Sequence, residues 1–219
     1  GKNIYKKIIT ALRKLGFKYV FDITFGADLT VMEEALELVE RIKNNKNLPM
    51  FTSCCPSWVK YAEIFYPELI PNLSTCKSPI AMQSTTIKTY FAKKEGIDLG
   101  RLVNVVIAPC TSKKYEIKRD EINVTKRDTD YVLTTRELAK MIKDNNFDLL
   151  KLEDGKFDSP LGLGSSAGVI FGSSGGVSEA TLRTAYHYIT GKDLEDEKLV
   201  FSDVRGMDGI KEVLLDTGE

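Results

Sequence analysis

The chain has 219 residues, of which 42% are hydrophobic and 28% charged, a balance typical of a soluble globular protein with a real core. The 31 Lys and Arg residues equal the 31 Asp and Glu residues, so net charge gives no support to nucleic-acid binding or membrane attraction. No apolar run approaches the roughly 20 residues of a membrane-spanning helix, and the N-terminus lacks a signal-like core, which predicts a cytoplasmic protein.

Helices and strands are predicted to alternate along the chain. An apolar stripe predicts a first helix over residues 2–15, and a short strand follows at 19–23. Thr30 with Glu33 forms a capping-box signature, which predicts that a second amphipathic helix starts there. The later elements are helices over 58–65 and 81–93, a strand over 102–107, a strand over 130–133 that enters a helix at Thr134 with Glu137, and a helix over 177–190.

This alternation favours an α/β fold, with a parallel sheet flanked by helices. In such folds the loops at the carboxyl ends of the strands carry the chemistry. Residues 155–176 break the rhythm with Ser, Pro and Gly. The chain shows no internal repeat and no stretch that reads as a domain linker.

Four cysteines and one histidine restrict the chemistry. Four cysteines are too few for a disulfide scaffold in a chain of this length, and none shows the CxxC spacing of a structural zinc site. His187 stands in a helical pattern, and as the single histidine it excludes His-based triads and His-rich metal sites. Reduced thiols or metal ligands are therefore the favoured roles of the cysteines.

Two cysteine motifs carry the strongest functional signal. Cys54 and Cys55 are adjacent in Thr-Ser-Cys-Cys-Pro-Ser-Trp (residues 52–58). Cys110 stands in Ala-Pro-Cys-Thr-Ser-Lys-Lys-Tyr-Glu (108–116), directly after a predicted strand. Neighbouring side chains on an extended backbone point to opposite sides, so Cys54 and Cys55 are expected to have different roles. One would be a metal ligand and the other a free thiol.

Together with Phe-Asp-Ile-Thr-Phe-Gly-Ala-Asp-Leu-Thr (21–30) and Phe-Gly-Ser-Ser-Gly-Gly-Val (171–177), these motifs resemble the catalytic H-domain of the iron-only (di-iron) hydrogenases. The resemblance runs from the first residue to Val-Arg-Gly-Met-Asp-Gly-Ile-Lys-Glu (204–212). It implies that residues 1–219 are the N-terminal and central part of a two-lobed H-domain, with the cofactor between the lobes. That cofactor is the H-cluster, a 4Fe-4S cubane bridged by a cysteine to a di-iron unit that carries CO and cyanide.

The resemblance also implies roles for the cysteines and for a proton path. Cys55 and Cys110 match cluster ligands, and Cys54 matches the thiol that relays protons to the open iron position. The path from this thiol to solvent falls on Glu34, Ser74 and Glu37, with Arg41 at its outer end. On helical spacing alone, Glu34, Glu37 and Arg41 share one face, and a solvated charge stripe is the alternative interpretation.

Five further positions match residues around the cofactor. Lys113 matches the lysine that donates a hydrogen bond to a cyanide ligand, and Lys114 beside it is expected to face solvent. Phe171 and Gly172 match residues that line the diatomic ligands. The remaining two are Ala108 and Pro79, and the family pattern departs here: Ala108 stands in place of a methionine, and Ile80, directly after Pro79, stands in place of a polar residue.

The family's third cysteine motif is absent from this sequence. A cubane normally needs four protein thiolates, so a second chain or segment is expected to supply the others. The sequence therefore predicts a segment of a hydrogenase catalytic subunit, or one of two pieces that complete each other. Cys76 has no role implied by the resemblance, and a buried structural thiol is the favoured interpretation.

The leading functional hypothesis is reversible oxidation of H2 to protons and electrons, with ferredoxin or partner Fe-S subunits as electron carriers. A non-catalytic relative, such as a hydrogen sensor or an iron-sulfur assembly factor, is the alternative. The proton-path residues favour turnover, whereas Ala108 and the missing third motif favour the alternative. A third possibility is a folded fragment or interaction subunit that binds no metal by itself.

Overall fold

The computed structural model describes residues 4–218, and most of their regular structure is helical. None of the helices in this range combines the length and apolar character needed to cross a membrane. The α-helices are α1 (Tyr5–Lys14), α2 (Ile23–Asn44), α3 (Pro56–Phe65), α4 (Pro79–Thr86), α5 (Ala92–Lys94), α6 (Lys113–Glu116), α7 (Thr135–Asp144), α8 (Ser166–Ile170) and α9 (Gly176–Thr190). Short helical segments complete the structure: a π-helical segment at Ile87–Phe91 and 3-10 segments at Pro67–Asn72, Leu99–Arg101, Asp120–Ile122, Leu149–Lys151 and Asp196–Lys198.

The strands of the described residues form two small sheets. Strands β1 (Val105–Ala108) and β2 (Tyr131–Thr134) pair in parallel. Strands β3 (Ser202–Asp203) and β4 (Lys211–Glu212) form an antiparallel pair near the end of the described chain. The predicted α/β class, with a parallel sheet and flanking helices, is thereby confirmed.

The β2–α7 connection follows the sequence prediction. The Thr134 hydroxyl accepts a hydrogen bond from the Glu137 backbone N–H at 3.2 Å, and the Glu137 carboxylate accepts from the Thr134 backbone N–H at 2.7 Å. These reciprocal bonds form a complete capping box, which satisfies two backbone donors at the start of the helix.

Two predicted elements are wrong. Residues 19–22 form no strand, and Ile23 begins α2. Asp22 caps this helix, because its extended backbone lets the carboxylate accept from the Thr24 N–H at 3.1 Å. Thr30 therefore lies inside the helix, and its hydroxyl donates to the Gly26 carbonyl oxygen at 3.1 Å instead of capping.

The first predicted helix is observed as α1, although residues 2 and 3 lie outside the described range.

Helix α2 is the centre of the fold and positions the candidate site. It packs against α4, α8 and α9. The crossing with α4 is close, because a Cβ at Gly26 would lie 2.4 Å from the carbonyl oxygen of Pro79. The buried apolar residues of α2 are Ala27, Val31, Ala35 and Val39.

Candidate metal and proton-transfer site

The two cysteine loops lie side by side. Cys55 precedes α3, with an extended backbone and Pro56 in the first helical turn, whereas Cys110 lies between β1 and α6. The hydroxyl oxygens of Ser57 and Ser112 are 2.5 Å apart, which joins the two loops directly. The thiols of Cys55 and Cys110 are both exposed. The fold therefore presents two accessible thiols from neighbouring loops, as a shared metal site requires.

The loop around Cys110 favours the thiolate form of this cysteine. Hydrogen bonds from the Ser112 side chain, the Ser112 backbone and the Lys113 backbone lower the pKa of the Cys110 thiol. A lowered pKa increases the thiolate fraction, and the thiolate is the form that binds iron. The exposed thiols of Cys55 and Cys110 fit part of the ligand set of an iron-sulfur cluster. Within residues 4–218, no three His, Cys, Asp or Glu side chains converge as a metal site.

Cys54 differs from its neighbour, as the extended backbone predicts. It is partly buried, and burial is the main cause that raises the pKa of its thiol to about 11. It is therefore a neutral thiol at ordinary pH. The Cys54 carbonyl oxygen accepts a hydrogen bond from Lys113 Nζ at 2.7 Å, which holds this ammonium next to the cysteine pair.

The Glu34 carboxyl is completely buried on α2. Neither of its oxygens makes a well-formed hydrogen bond with a described residue. Burial raises the pKa of Glu34, and the facing Ser74 hydroxyl and Ser53 backbone offset that rise only in part. Because a buried, unpaired carboxylate is costly, Glu34 favours its neutral acid form.

Glu37, one turn along α2, has the opposite electrostatic environment. Its Oε1 accepts from Arg41 Nη2 at 2.6 Å, and its Oε2 accepts from the Ser74 hydroxyl and the Thr75 backbone N–H, both at 2.9 Å. Burial alone would raise the pKa of Glu37, but the bonds from Ser74, Thr75 and Arg41 together lower it. Ser74 therefore lies between a carboxyl that favours its proton and a carboxylate that is stabilised without one.

Two contacts hold the 72–76 segment against the cysteine loop and α2. Phe51 and Leu73 form a parallel bridge, in which the Ser74 N–H donates to the Phe51 carbonyl at 2.7 Å. Arg41 donates to the carbonyl oxygens of Asn72 at 3.0 Å and Leu73 at 2.7 Å, and it is only 8% exposed. Glu34 and Arg41 are thus buried, which contradicts the alternative of a solvated charge stripe.

The other predicted positions lie in different surroundings. Ala108 is buried at the end of β1, and Pro79 is buried at the first position of α4 against Gly26. Phe171 and Gly172 follow α8, and neither makes a described hydrogen bond to the cysteine loops. The structure therefore groups the cysteines, Lys113 and the proton-path residues. Ala108 lies two residues before Cys110, whereas Pro79, Phe171 and Gly172 lie at the ends of α4 and α8.

The sequence did not predict three residues whose contacts help to position the site. Glu116 is buried, and its Oε2 lies 2.9 Å from Lys113 Nζ, a pairing that the i, i+3 spacing could have indicated. The backbone N–H of Thr75 binds Glu37, for which the sequence holds no signal. The third is Cys76, whose spacing of two residues from Ser74 could have indicated a shared face. Lys114, expected to face solvent, is partly exposed and pairs with Glu137.

We expect Glu34→Gln to change the pH dependence of stability. The raised pKa means that the folded state binds this proton more tightly than the unfolded chain. The resulting stabilisation is complete below the unfolded pKa and is lost as pH rises through the folded pKa, at about 1.4 kcal/mol for each pH unit between the two pKa values. Urea unfolding of the full-length protein at a series of pH values should show a shallower decline above the unfolded pKa for Glu34→Gln. The exposed neighbour provides the control, since Glu33→Gln should keep the wild-type slope; equal slopes for all three proteins would contradict this prediction.

Comparison with known proteins places this geometry in context. Residues 2–219 match the family described as iron only hydrogenase large subunit, C-terminal domain. The chain is 52% identical over 97% of its length to iron hydrogenase 1 of Clostridium pasteurianum, and 50% identical over 97% to the periplasmic Fe hydrogenase large subunit of Nitratidesulfovibrio vulgaris. It spans 37% and 51% of these relatives, respectively.

A solved structure and a more distant relative extend the comparison. An apo variant of the FeFe-hydrogenase HydA1 from Chlamydomonas reinhardtii matches with a TM-score of 0.83 and 48% identity, over 94% of this chain and 52% of that one. The cytosolic iron-sulfur assembly component 3 of Bos taurus is 29% identical over 96% of this chain and 46% of that protein. The similarity therefore includes proteins whose names describe different functions.

Proposed function

The chain belongs to the iron-only hydrogenase large-subunit family, and from this premise we propose that it forms part of a site for reversible oxidation of H2 to protons and electrons. One observation carries the proposal: Ser74 lies between Glu34, whose pKa is raised, and Glu37, whose pKa is lowered. Environments that separate the pKa values of two neighbouring carboxyls are typical of groups that exchange protons.

Cys55 and Cys110 would hold one edge of the cluster, because they are the exposed thiols of two adjoining loops. When bound, the cubane and di-iron unit supply the electron transfer and the position at which H2 is split. A second segment or chain would contribute the remaining thiolates. Lys113, fixed by Glu116 and by the Cys54 carbonyl oxygen, would direct its ammonium toward the anionic cyanides. The positions proposed to line the cofactor on other sides are Ala108, Pro79, Phe171 and Gly172.

The proton route would begin at the neutral Cys54 thiol. During H2 oxidation the Cys54 Sγ would accept a proton while its own hydrogen passes to one oxygen of Glu34, and the other Glu34 oxygen would release the proton that it already holds. Glu34 would protonate the Ser74 Oγ while the Ser74 hydrogen moves to Glu37 Oε2, 2.9 Å away. Arg41 and the Thr75 N–H hold Glu37 as the proton acceptor. The last step, from Ser74 to Glu37, takes place across a formed hydrogen bond, as efficient transfer requires.

Electrons would leave through the exposed edge of the cysteine loops to ferredoxin or to partner Fe-S subunits. A cytoplasmic location stays a prediction. A relative at 50% identity is named as periplasmic, so fractionation of the native cells is the direct measurement of location.

A non-catalytic role, as a hydrogen sensor or an iron-sulfur assembly factor, is the second candidate. The similarity to an assembly component over nearly the whole chain favours it. The higher identity to the two hydrogenases, and the buried carboxyl pair, favour turnover. A cluster carrier has no need for a route that moves protons.

Hydrogen-dependent dye reduction by the full-length protein with an assembled cluster tests the proposed function. We expect H2 oxidation and, with a reduced dye, H2 evolution. A protein that loads its cluster and performs neither reaction would support the non-catalytic role. A full-length protein that binds no iron under these conditions would instead identify the chain as an interaction module.

A further inference from the structure

Cys76 has no part in the proton route described above, yet it contacts that route twice. Its Sγ lies 3.6 Å from Glu37 Oε2, and its backbone N–H donates to the Ser74 hydroxyl oxygen at 3.2 Å. The Cys76 carbonyl oxygen accepts from the Ser53 hydroxyl at 3.0 Å, which connects Cys76 to the loop of Cys54. The first two contacts place Cys76 at the junction between Ser74 and Glu37, and the third holds it against the cysteine loop.

These contacts determine where the Ser74 hydroxyl can point. A serine hydroxyl has one hydrogen and two lone pairs. Its hydrogen is donated to Glu37 Oε2, and one lone pair accepts from the Cys76 N–H. The remaining lone pair is available to Glu34, the other carboxyl that Ser74 faces. Ser74 is therefore oriented to receive a proton from Glu34 and to release one to Glu37.

Transfer of one proton reverses this orientation. When Glu34 protonates the Ser74 Oγ, the original Ser74 hydrogen leaves to Glu37 Oε2, and the new hydrogen points back to Glu34. One proton has entered and one has left, but the hydroxyl must turn before the next transfer. While it faces Glu34, a newly deprotonated Glu37 Oε2 has lost its Ser74 donor.

We propose that Cys76 is a positioning residue of this route, whose thiol donates to Glu37 Oε2 while the Ser74 hydroxyl turns between the two carboxyls. The inference rests on the proposed function. Oε2 keeps two donors throughout the turn, namely the Thr75 N–H at 2.9 Å and the Cys76 thiol at 3.6 Å. A weak S–H donor suits this task, because it stabilises the carboxylate without competing strongly with the serine.

The charges around Glu37 are consistent with a thiol that keeps its hydrogen. The ionisable groups that face Glu37 are Arg41 and Glu34 on its own helix and Cys76 on the opposing segment. Burial is the main cause that raises the pKa of Cys76 to about 12, and the two carboxyls contribute further. Cys76 is therefore a donor over the whole pH range in which Glu37 titrates.

The S–H stretching band of Cys76 tests the contact without any turnover. The infrared difference between wild type and Cys76→Ala, both cofactor-free and full-length, isolates this band from those of the other three cysteines. We expect Glu37→Gln to move the band to higher frequency, because an amide oxygen is a weaker acceptor than a carboxylate. Lys114→Ala should leave the band in place. An S–H stretching frequency that is unchanged in Glu37→Gln would overturn the inference and leave the proposed function intact.

The pH profile of H2 oxidation per assembled cluster tests the consequence. In Cys76→Ala the Glu37 carboxylate loses a hydrogen-bond donor, so the pKa of Glu37 rises. The acid limb of the activity profile should therefore shift to higher pH by about half a pH unit. Cys76→Ser keeps a donor and should restore the wild-type limb, which simple loss of packing would not predict. An unmoved limb in Cys76→Ala would overturn the inference. Undiminished turnover in Glu37→Gln would instead overturn the proposed proton route.

Discussion

Replacement of either Cys55 or Cys110 by alanine should abolish loading of the complete cluster in the full-length protein. Each change removes one of the thiolates that this chain can supply, and an iron-sulfur cluster normally needs four. The structure offers no substitute, since within the described residues no other set of metal-type ligands converges on these loops. Iron content and the infrared bands of bound CO and cyanide measure the loss directly.

The other two cysteines are matched controls for this experiment. Cys54 and Cys76 are partly buried, and Cys76 contacts Glu37, so Cys54→Ala and Cys76→Ala should retain iron and both sets of bands. Cys55 and Cys110 are exposed, so their truncation to alanine should leave the fold unchanged, as circular dichroism would verify. Full bands and activity in either Cys55→Ala or Cys110→Ala would show that the ligand assignment is wrong.

A capping-box signature predicted the start of a helix correctly only where an extended backbone precedes it. Thr134 and Glu137 form a capping box, because an extended strand precedes the helix. The same signature at Thr30 and Glu33 gave a wrong helix start, since Asp22 had already capped α2 eight residues earlier. A capping motif is therefore informative only where the preceding residues are not helical.

The predicted strand at residues 19–23 failed for lack of a partner. Its aromatic residues have strand-like composition, but a strand needs a neighbour to pair with. Within the described residues, Tyr19 and Phe21 instead pack edge-on against Phe91, with ring centroids 4.9 Å apart in both cases. They line a cleft of about 880 Å³ that also contacts β1. Side-chain packing, which sequence periodicity does not report, decided the outcome.

The candidate site was predictable only in part. Helical spacing correctly placed Glu34, Glu37 and Arg41 on one face of α2. It could not reveal that this face is buried, because burial depends on the distant 72–76 segment and its bridge to Phe51. The opposite pKa shifts of the two glutamates also arise from the 72–76 segment. Hydrogen bonds from Ser74 and Thr75 lower the pKa of Glu37, whereas the effect of burial on the pKa of Glu34 is offset only in part.

Cys54→Ala should leave the cluster assembled and suppress turnover by about a hundred- to ten-thousandfold, the contribution typical of a positioned proton-transfer group. The separation of these effects follows from the structure, in which Cys54 is a neutral, partly buried thiol beside an exposed candidate ligand. Cys54→Asp should recover part of the rate, because a carboxylic acid can exchange a proton at a similar reach. Dye-linked H2 oxidation, normalised to the infrared bands of the cluster, is the required measurement.

Glu37→Gln should reproduce the Cys54→Ala result from the far end of the route. Glutamine retains the size and most of the hydrogen-bonding capacity of Glu37, but it cannot accept a proton from Ser74. Arg41 then loses its charged partner. The variant must therefore have the circular dichroism spectrum and the cluster content of wild type before rates are compared. Lys114→Ala, which removes only a partly exposed ion pair with Glu137, should be almost silent. Equal activity per assembled cluster in wild type, Cys54→Ala and Glu37→Gln would refute the proton route and favour the non-catalytic role.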